Sequence, residues 1–139
     1  MQKDFRKSRV WNLSRNLLLV IFKISEDKLD NLNSSLVRKI QKSSIEILIN
    51  IEKTMTHYRK NDYLKYFTRS LLATISVEKN LREAQKKRLF QKSDTEQILK
   101  KIIEIRYLLV SLVMKPKGKR IRCPSHTLNK IPGTLCLVL

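Results

Sequence analysis

From Met1 to Lys115 the chain contains neither glycine nor proline; its two glycines and three prolines all follow Lys115. Nothing in that stretch forces a helix to break, so long uninterrupted helices are the simplest reading of it. Cysteine is as scarce, with Cys123 and Cys136 both beyond Lys115. That pattern excludes a disulfide framework of the kind that stands in for a core in small secreted domains, and a reducing, cytoplasmic setting is expected. No apolar run approaches the roughly 18 residues that a membrane span needs. The longest is Leu17 to Phe22, and it is also too short for the apolar part of an export signal, about 7 to 15 residues. Lys23 closes it before any small-residue cleavage pattern appears, so neither export nor integral membrane association is expected.

Acidic residues are the last shortage. Twelve Asp and Glu against 30 Lys and Arg give +18, more than solubility requires, and the excess points to a polyanionic partner. The segment from Lys115 to Leu139 carries six of the basic residues and no acidic one, which leaves 24 against 12, or +12, on the first 114 residues. The foldable part is itself basic.

What is present is helical periodicity. Val10, Leu13, Leu17, Val20 and Ile24 follow one face of a first helix, which Trp11, Leu18, Ile21 and Phe22 widen. Ser25 to Asp30 closes it. Leu32, Leu36, Ile40, Ile47, Ile51 and Met55 trace a second helix, with Ser43 and Ser44 allowing a close approach midway. Within it, Ile45, Ile47, Ile49 and Ile51 alternate as a strand would, but the helical spacing continues on both sides and predicts a helix. Arg59 to Asp62 reads as a turn, with Asn61 or Asp62 as N-cap. Tyr63, Leu64, Phe67, Leu71, Ile75 and Leu81 give a third helix ending near Phe90. Ser93 and Glu96 have the spacing of a capping box ahead of a fourth, marked by Ile98, Ile102, Ile105, Leu109 and Leu112.

The expected fold is therefore all-α: an antiparallel up-and-down four-helix bundle over residues 4–115. A flexible, disordered basic tail is expected over 116–139.

The segments DFRKSRVW, SLVRKIQKSSIEILINIE, YLKYF and EIRYLLVSLVMK resemble the small four-helix-bundle proteins encoded in intervening sequences of bacterial 23S ribosomal RNA genes. A related branch of that family consists of the accessory proteins of diversity-generating retroelements. Phe5, Arg6, Lys7, Val10 and Trp11 match the start of the first helix, and Lys42, Ser43, Ser44, Ile47, Asn50 and Ile51 match the second. Glu78 fits the third, and Glu104, Ile105 and Arg106 fit the fourth. The chain departs from the family pattern at Leu48, where proline is usual, and at Ser76, where a second glutamate is common. The resemblance implies a homopentameric bundle with a nucleic-acid role, no enzymatic activity and no cofactor.

The candidate nucleic-acid-binding cations fall in four groups: Arg6, Lys7, Arg9 and Arg15; Arg38, Lys39 and Lys42; Arg59, Lys60, Lys65 and Arg69; and Lys86, Lys87 and Arg88. Lysine or arginine set against phosphate releases condensed counterions, so binding of this kind tolerates sequence and weakens steeply with salt. Tyr58 and Tyr66, interleaved with the third group, are candidates for stacking on unpaired bases. Tyr63 and Phe67, one helical turn apart, belong to the core instead. RNA, with ribosomal RNA or its intervening sequence foremost and DNA second, is the expected partner of a homo-oligomer. A structural or protein-interaction scaffold is the alternative, and peripheral membrane binding a weaker third.

Catalytic and metal chemistry have little to build on. His57 has no cysteine near it, no E-x-x-H pairing exists, and Cys123, His126 and Cys136 lack the paired spacing of a zinc site. No metal and no catalytic residue is expected. Glu78 lies on the apolar face of its helix, and a buried ion pair with Arg106 is the reading it favours. The C-terminal CLVL has the form of a prenylation signal but is read as accidental.

Overall fold

A computed structural model of the chain describes residues 7–28, 34–57 and 62–113. Expectations for Phe5, Arg6, Leu32, Tyr58, Arg59, Lys60 and the tail lie outside those residues. Four helices are formed: α1 (Arg9–Ser25), followed by a 3-10 turn at Glu26–Lys28, α2 (Ser34–Thr56), α3 (Tyr63–Lys86) and α4 (Lys92–Val113). Among the described residues there is no strand. Sequential helices pack side by side and α4 closes against α1, so the four form an up-and-down bundle around one core.

Each helix of such a ring is covered on two sides only, and this narrows the buried stripe of α1. Ser8 caps the helix, its Oγ accepting from the Trp11 N–H at 3.4 Å. Val10, Ser14, Leu17, Ile21 and Ser25 are buried, whereas Leu13, Val20 and Ile24, expected at the centre of the stripe, are half-buried flanks. Phe22 faces outward, so the helix is less enveloped than its composition suggests. The two buried serines are satisfied within the helix, Ser14 Oγ donating to the Val10 carbonyl and Ser25 Oγ to that of Ile21. Ser25 Oγ also accepts from Gln41 Nε2 at 2.7 Å, joining the end of α1 to α2.

In α2 the isoleucine run is helical. Ile47 and Ile51 are fully buried, while Ile45 and Ile49 are 38% and 44% exposed, a division by helical face that a strand would not produce. Ser43 and Ser44 are both buried; the Ser43 and Ser76 hydroxyls meet at 2.8 Å across to α3, while Ser44 Oγ donates to the Gln41 carbonyl within α2. With Ala73 also buried at this contact, small side chains let the two helices pack closely along their length.

Two boundaries differ from the sequence reading. First, α3 ends at Lys86 rather than near Phe90. Arg88 takes φ 57°, its N–H bonds the Gln85 carbonyl, and the Leu89 N–H bonds the Ala84 carbonyl. This is the paired hydrogen bonding of a Schellman stop with arginine where glycine is usual. It turns Leu89 and Phe90 inward, and Phe90 is buried. Second, α4 begins at Lys92, which leaves Ser93 exposed inside the first turn rather than capping it. The Thr95 N–H bonds the Gln91 carbonyl, and Thr95 Oγ1 donates to Gln85 Oε1 at 2.7 Å. Burial of Phe90 brings the chain into helical position before Ser93 is reached. Asp62 stands at the N-cap of α3, as expected, without a side-chain capping bond.

Among the described residues one charged side chain is buried in the core. Arg106 of α4 is 1% exposed, lying among Ile102, Ile105 and Leu109, which are themselves buried. Its Nη2 lies 2.6 Å from Glu78 Oε1, and its Nε donates to Thr74 Oγ1 at 3.0 Å. The geometry at Nη2 is that of an ion pair rather than a linear hydrogen bond, and Nη1 has no partner among the described residues. The other Glu78 oxygen accepts from Nε and Nη2 of Arg82, one turn along α3. Burial alone would raise the Glu78 carboxyl, but the close charge of Arg106, then the hydrogen bonds and charge of Arg82, outweigh it and hold the group below the usual carboxylate range.

Removing Glu78 strands the buried Arg106 guanidinium, so Glu78→Gln is expected to cost about 3 kcal/mol in denaturant unfolding, whereas Arg106→Met leaves Glu78 paired with Arg82 and costs less. The double variant should lose much less than the sum, and additive losses would contradict the coupling. Because the folded carboxyl is depressed, the unfolded chain binds more protons in acid. The pair's contribution is therefore complete above about pH 4.3 and lost as pH falls through the folded value; Glu78→Gln should flatten that part of a stability profile. Arg88→Gly should raise stability by about 1 kcal/mol by relieving the left-handed backbone, measured as an upward shift in Tm.

Candidate nucleic-acid interface

The antiparallel pairing of α2 with α3 decides where the cations go. Ser43 faces Ser76 near the middle, and Lys53 faces Tyr66 toward one end. Arg38 and Lys39 therefore lie toward the opposite end, short of the turn at which α3 reaches Lys86, Lys87 and Arg88. Trp11 Nε1 donates to Glu52 Oε2 at 3.2 Å, which places the start of α1, with Lys7 and Arg15, at the Lys53 end. The described cations of the four groups thus gather toward two poles, with Lys42 between them; the rise of fifteen residues along α2 from Arg38 to Lys53 is about 22 Å.

The poles differ in their acidic content. Glu26, Asp27, Glu83, Asp94 and Glu96 are all near the pole of Arg38 and Lys86–Arg88. At the other pole Asp62 is exposed at the start of α3, while Glu52 is bonded to Trp11 and Glu104 is ion-paired with Arg9. Arg9, a candidate phosphate contact, is thus already engaged with a carboxylate, whereas Lys7, Arg15, Lys42, Lys65 and Arg69 are exposed and form no ion pair among the described residues. The same holds for Arg38, Lys39, Lys86, Lys87 and Arg88. Lys28, at the more acidic pole, lies 5.9 Å from the Phe90 ring centre.

Tyr66 is the centre of the less acidic pole. Lys53 Nζ lies 5.4 Å from its ring centre, Lys65 Nζ 5.6 Å and the Arg69 guanidinium 5.8 Å. Each such contact is worth about 0.5–1 kcal/mol at an exposed site. The His57 ring is 5.2 Å away and tilted by 50°. Its Nδ1 lies 2.9 Å from the Lys53 carbonyl and 3.1 Å from Thr56 Oγ1, so that nitrogen is held by the end of α2 rather than by an acid. Lys53 is absent from the four sequence groups because it stands alone between Glu52 and Thr54; its position one turn before His57 was the available signal. Phe67 packs on the core, while Tyr63 is half-buried.

Arg69 also lines a groove of about 300 Å³ between α2 and α3, with Glu46, Asn50, Leu72, Ala73 and Ser76. Its mixture of one acid, one base and one exposed leucine suits a polar chain better than an apolar ligand. No group of three or more His, Cys, Asp or Glu side chains able to hold a metal ion exists among the described residues. No described helix is long and apolar enough to cross a membrane. No known protein-family model matches the chain, and no curated protein matches it significantly.

Proposed function

We propose that the chain is a non-enzymatic bundle that binds nucleic acid electrostatically, RNA before DNA, and works as a homo-oligomer. The observation that carries this reading is the uncompensated basic surface. Among the described residues only Arg9, Lys28, Arg82 and Arg106 meet a carboxylate, and Arg106 is internal. The remaining lysines and arginines repel one another, a cost to the folded state that a polyanion would remove. Ribosomal RNA or its intervening sequence is the specific partner suggested by the sequence resemblance.

Self-association has its own support. Leu19 and Phe22 are three residues apart on α1, Ile45 and Ile49 four apart on α2, and Leu64 and Leu72 eight apart on α3; all six are exposed. The first two pairs each lie along one face of their helix as short apolar stripes, while Leu64 and Leu72 are two turns apart with exposed Thr68 between them. The same stripes favour the second reading, a scaffold that binds a protein partner and uses its charge only for solubility.

Affinity for structured RNA and for duplex DNA, measured across a salt series, separates the two. Nucleic-acid binding predicts a linear fall of log K with log salt, tighter binding to RNA, and a slope reduced by about 0.7–0.9 for each phosphate-contacting cation neutralised, for example in Arg69→Gln. No binding near physiological salt would leave the scaffold reading in its place.

A further inference from the structure

We propose that Tyr66 is a positioning residue that gathers Lys53, Lys65 and Arg69 into a phosphate site indifferent to bases, rather than a platform on which a base stacks. The proposal deepens the nucleic-acid reading and rests on it for the identity of the natural ligand alone.

Lys65 and Arg69 are one turn apart on α3, a spacing at which like charges destabilise a helix. Lys53 arrives from α2 and adds a third positive charge to the same place. None of the three meets a carboxylate among the described residues; Asp62, close by at the start of α3, offers its backbone carbonyl to the Lys65 and Tyr66 N–H groups and forms no ion pair with them. What holds these cations together is the ring, whose electron-rich face attracts each of them. All three lie within 5.8 Å of its centre. A base laid on that ring would compete with them for its π surface. A phosphate would not, because its oxygens accept hydrogen bonds from the outward sides of the same ammonium and guanidinium groups. The ring therefore does for this site what a carboxylate would do elsewhere, fixing cations in position, but without neutralising them.

The test compares single-stranded RNA with inorganic polyphosphate, which has no bases, on the wild-type protein and on Tyr66→Phe, Tyr66→Leu and Lys53→Gln. Tyr66→Leu is expected to weaken binding of both probes by the same factor, about twofold to fivefold, while Tyr66→Phe keeps wild-type affinity. Lys53→Gln, at an exposed position, tests the site without touching the ring and should lower the salt slope for both probes. Loss of RNA affinity in Tyr66→Leu with polyphosphate binding unchanged would mean stacking and overturn the proposal, as would no change with either probe. A wild-type protein that fails to bind polyphosphate also overturns it. Binding of polyphosphate with the expected variant pattern, but none of RNA or DNA, would keep this site and reject the nucleic-acid reading.

Discussion

A guanidinium placed inside an aliphatic core is the constraint on which the bundle turns. Arg106 can occupy that position only while Glu78 and Thr74 face it from α3, so α3 and α4 have one acceptable register. Slipping either helix by a residue would leave a buried charge unmatched, a far larger penalty than shifting an isoleucine among isoleucines. The pair's value is in excluding other packings; an apolar replacement of both groups would pack as well and specify less. With α3 fixed, the close Ser43–Ser76 contact sets α2 against it, and that pairing in turn brings Lys53 to Tyr66.

Three of the twelve acidic residues are used in one way. Glu52 bonds the indole of Trp11, Glu104 pairs with Arg9, and Glu78 serves Arg106 and Arg82. In each case a carboxylate ties one helix to another. Near Tyr66 the aromatic ring takes over part of that task, gathering cations that pair with no carboxylate among the described residues. Salt should therefore act on this molecule in two opposing ways, relieving repulsion at the surface while leaving the buried pair almost untouched.

Much of the architecture was legible because it depends on periodicity. The spacing of Ile98, Ile102, Ile105 and Leu109 places all four in the core, and continuation of the helical pattern past the isoleucine run resolves its ambiguity. Glu78 on an apolar face announced a partner, and Arg106 is the partner. The misses share a different cause. That Arg88 would adopt a left-handed stop could not be read from a residue type with no preference for it; the conformation follows from burying Phe90. Ser93 carries an ideal capping pattern, yet the same burial starts the helix ahead of it. Lys53 belongs to the Tyr66 cluster through pairing between helices, which local sequence does not record. Even the absence of glycine had less force than it carried in sequence, since an arginine supplies the positive φ.

The isoleucine run has a consequence outside the native state. Folded, its isoleucines divide into two buried and two exposed; extended, the stretch from Ile45 to Ile51 puts all four on one face and Leu48 on the other, with Glu46 its sole charge. Such a segment is a template for cross-β stacking. Lys39 and Lys42 before it and Lys53 after it act as gatekeepers, discouraging chains from aligning there. The helix between them is thus also a form of storage, and whatever melts α2 sets the threshold for aggregation.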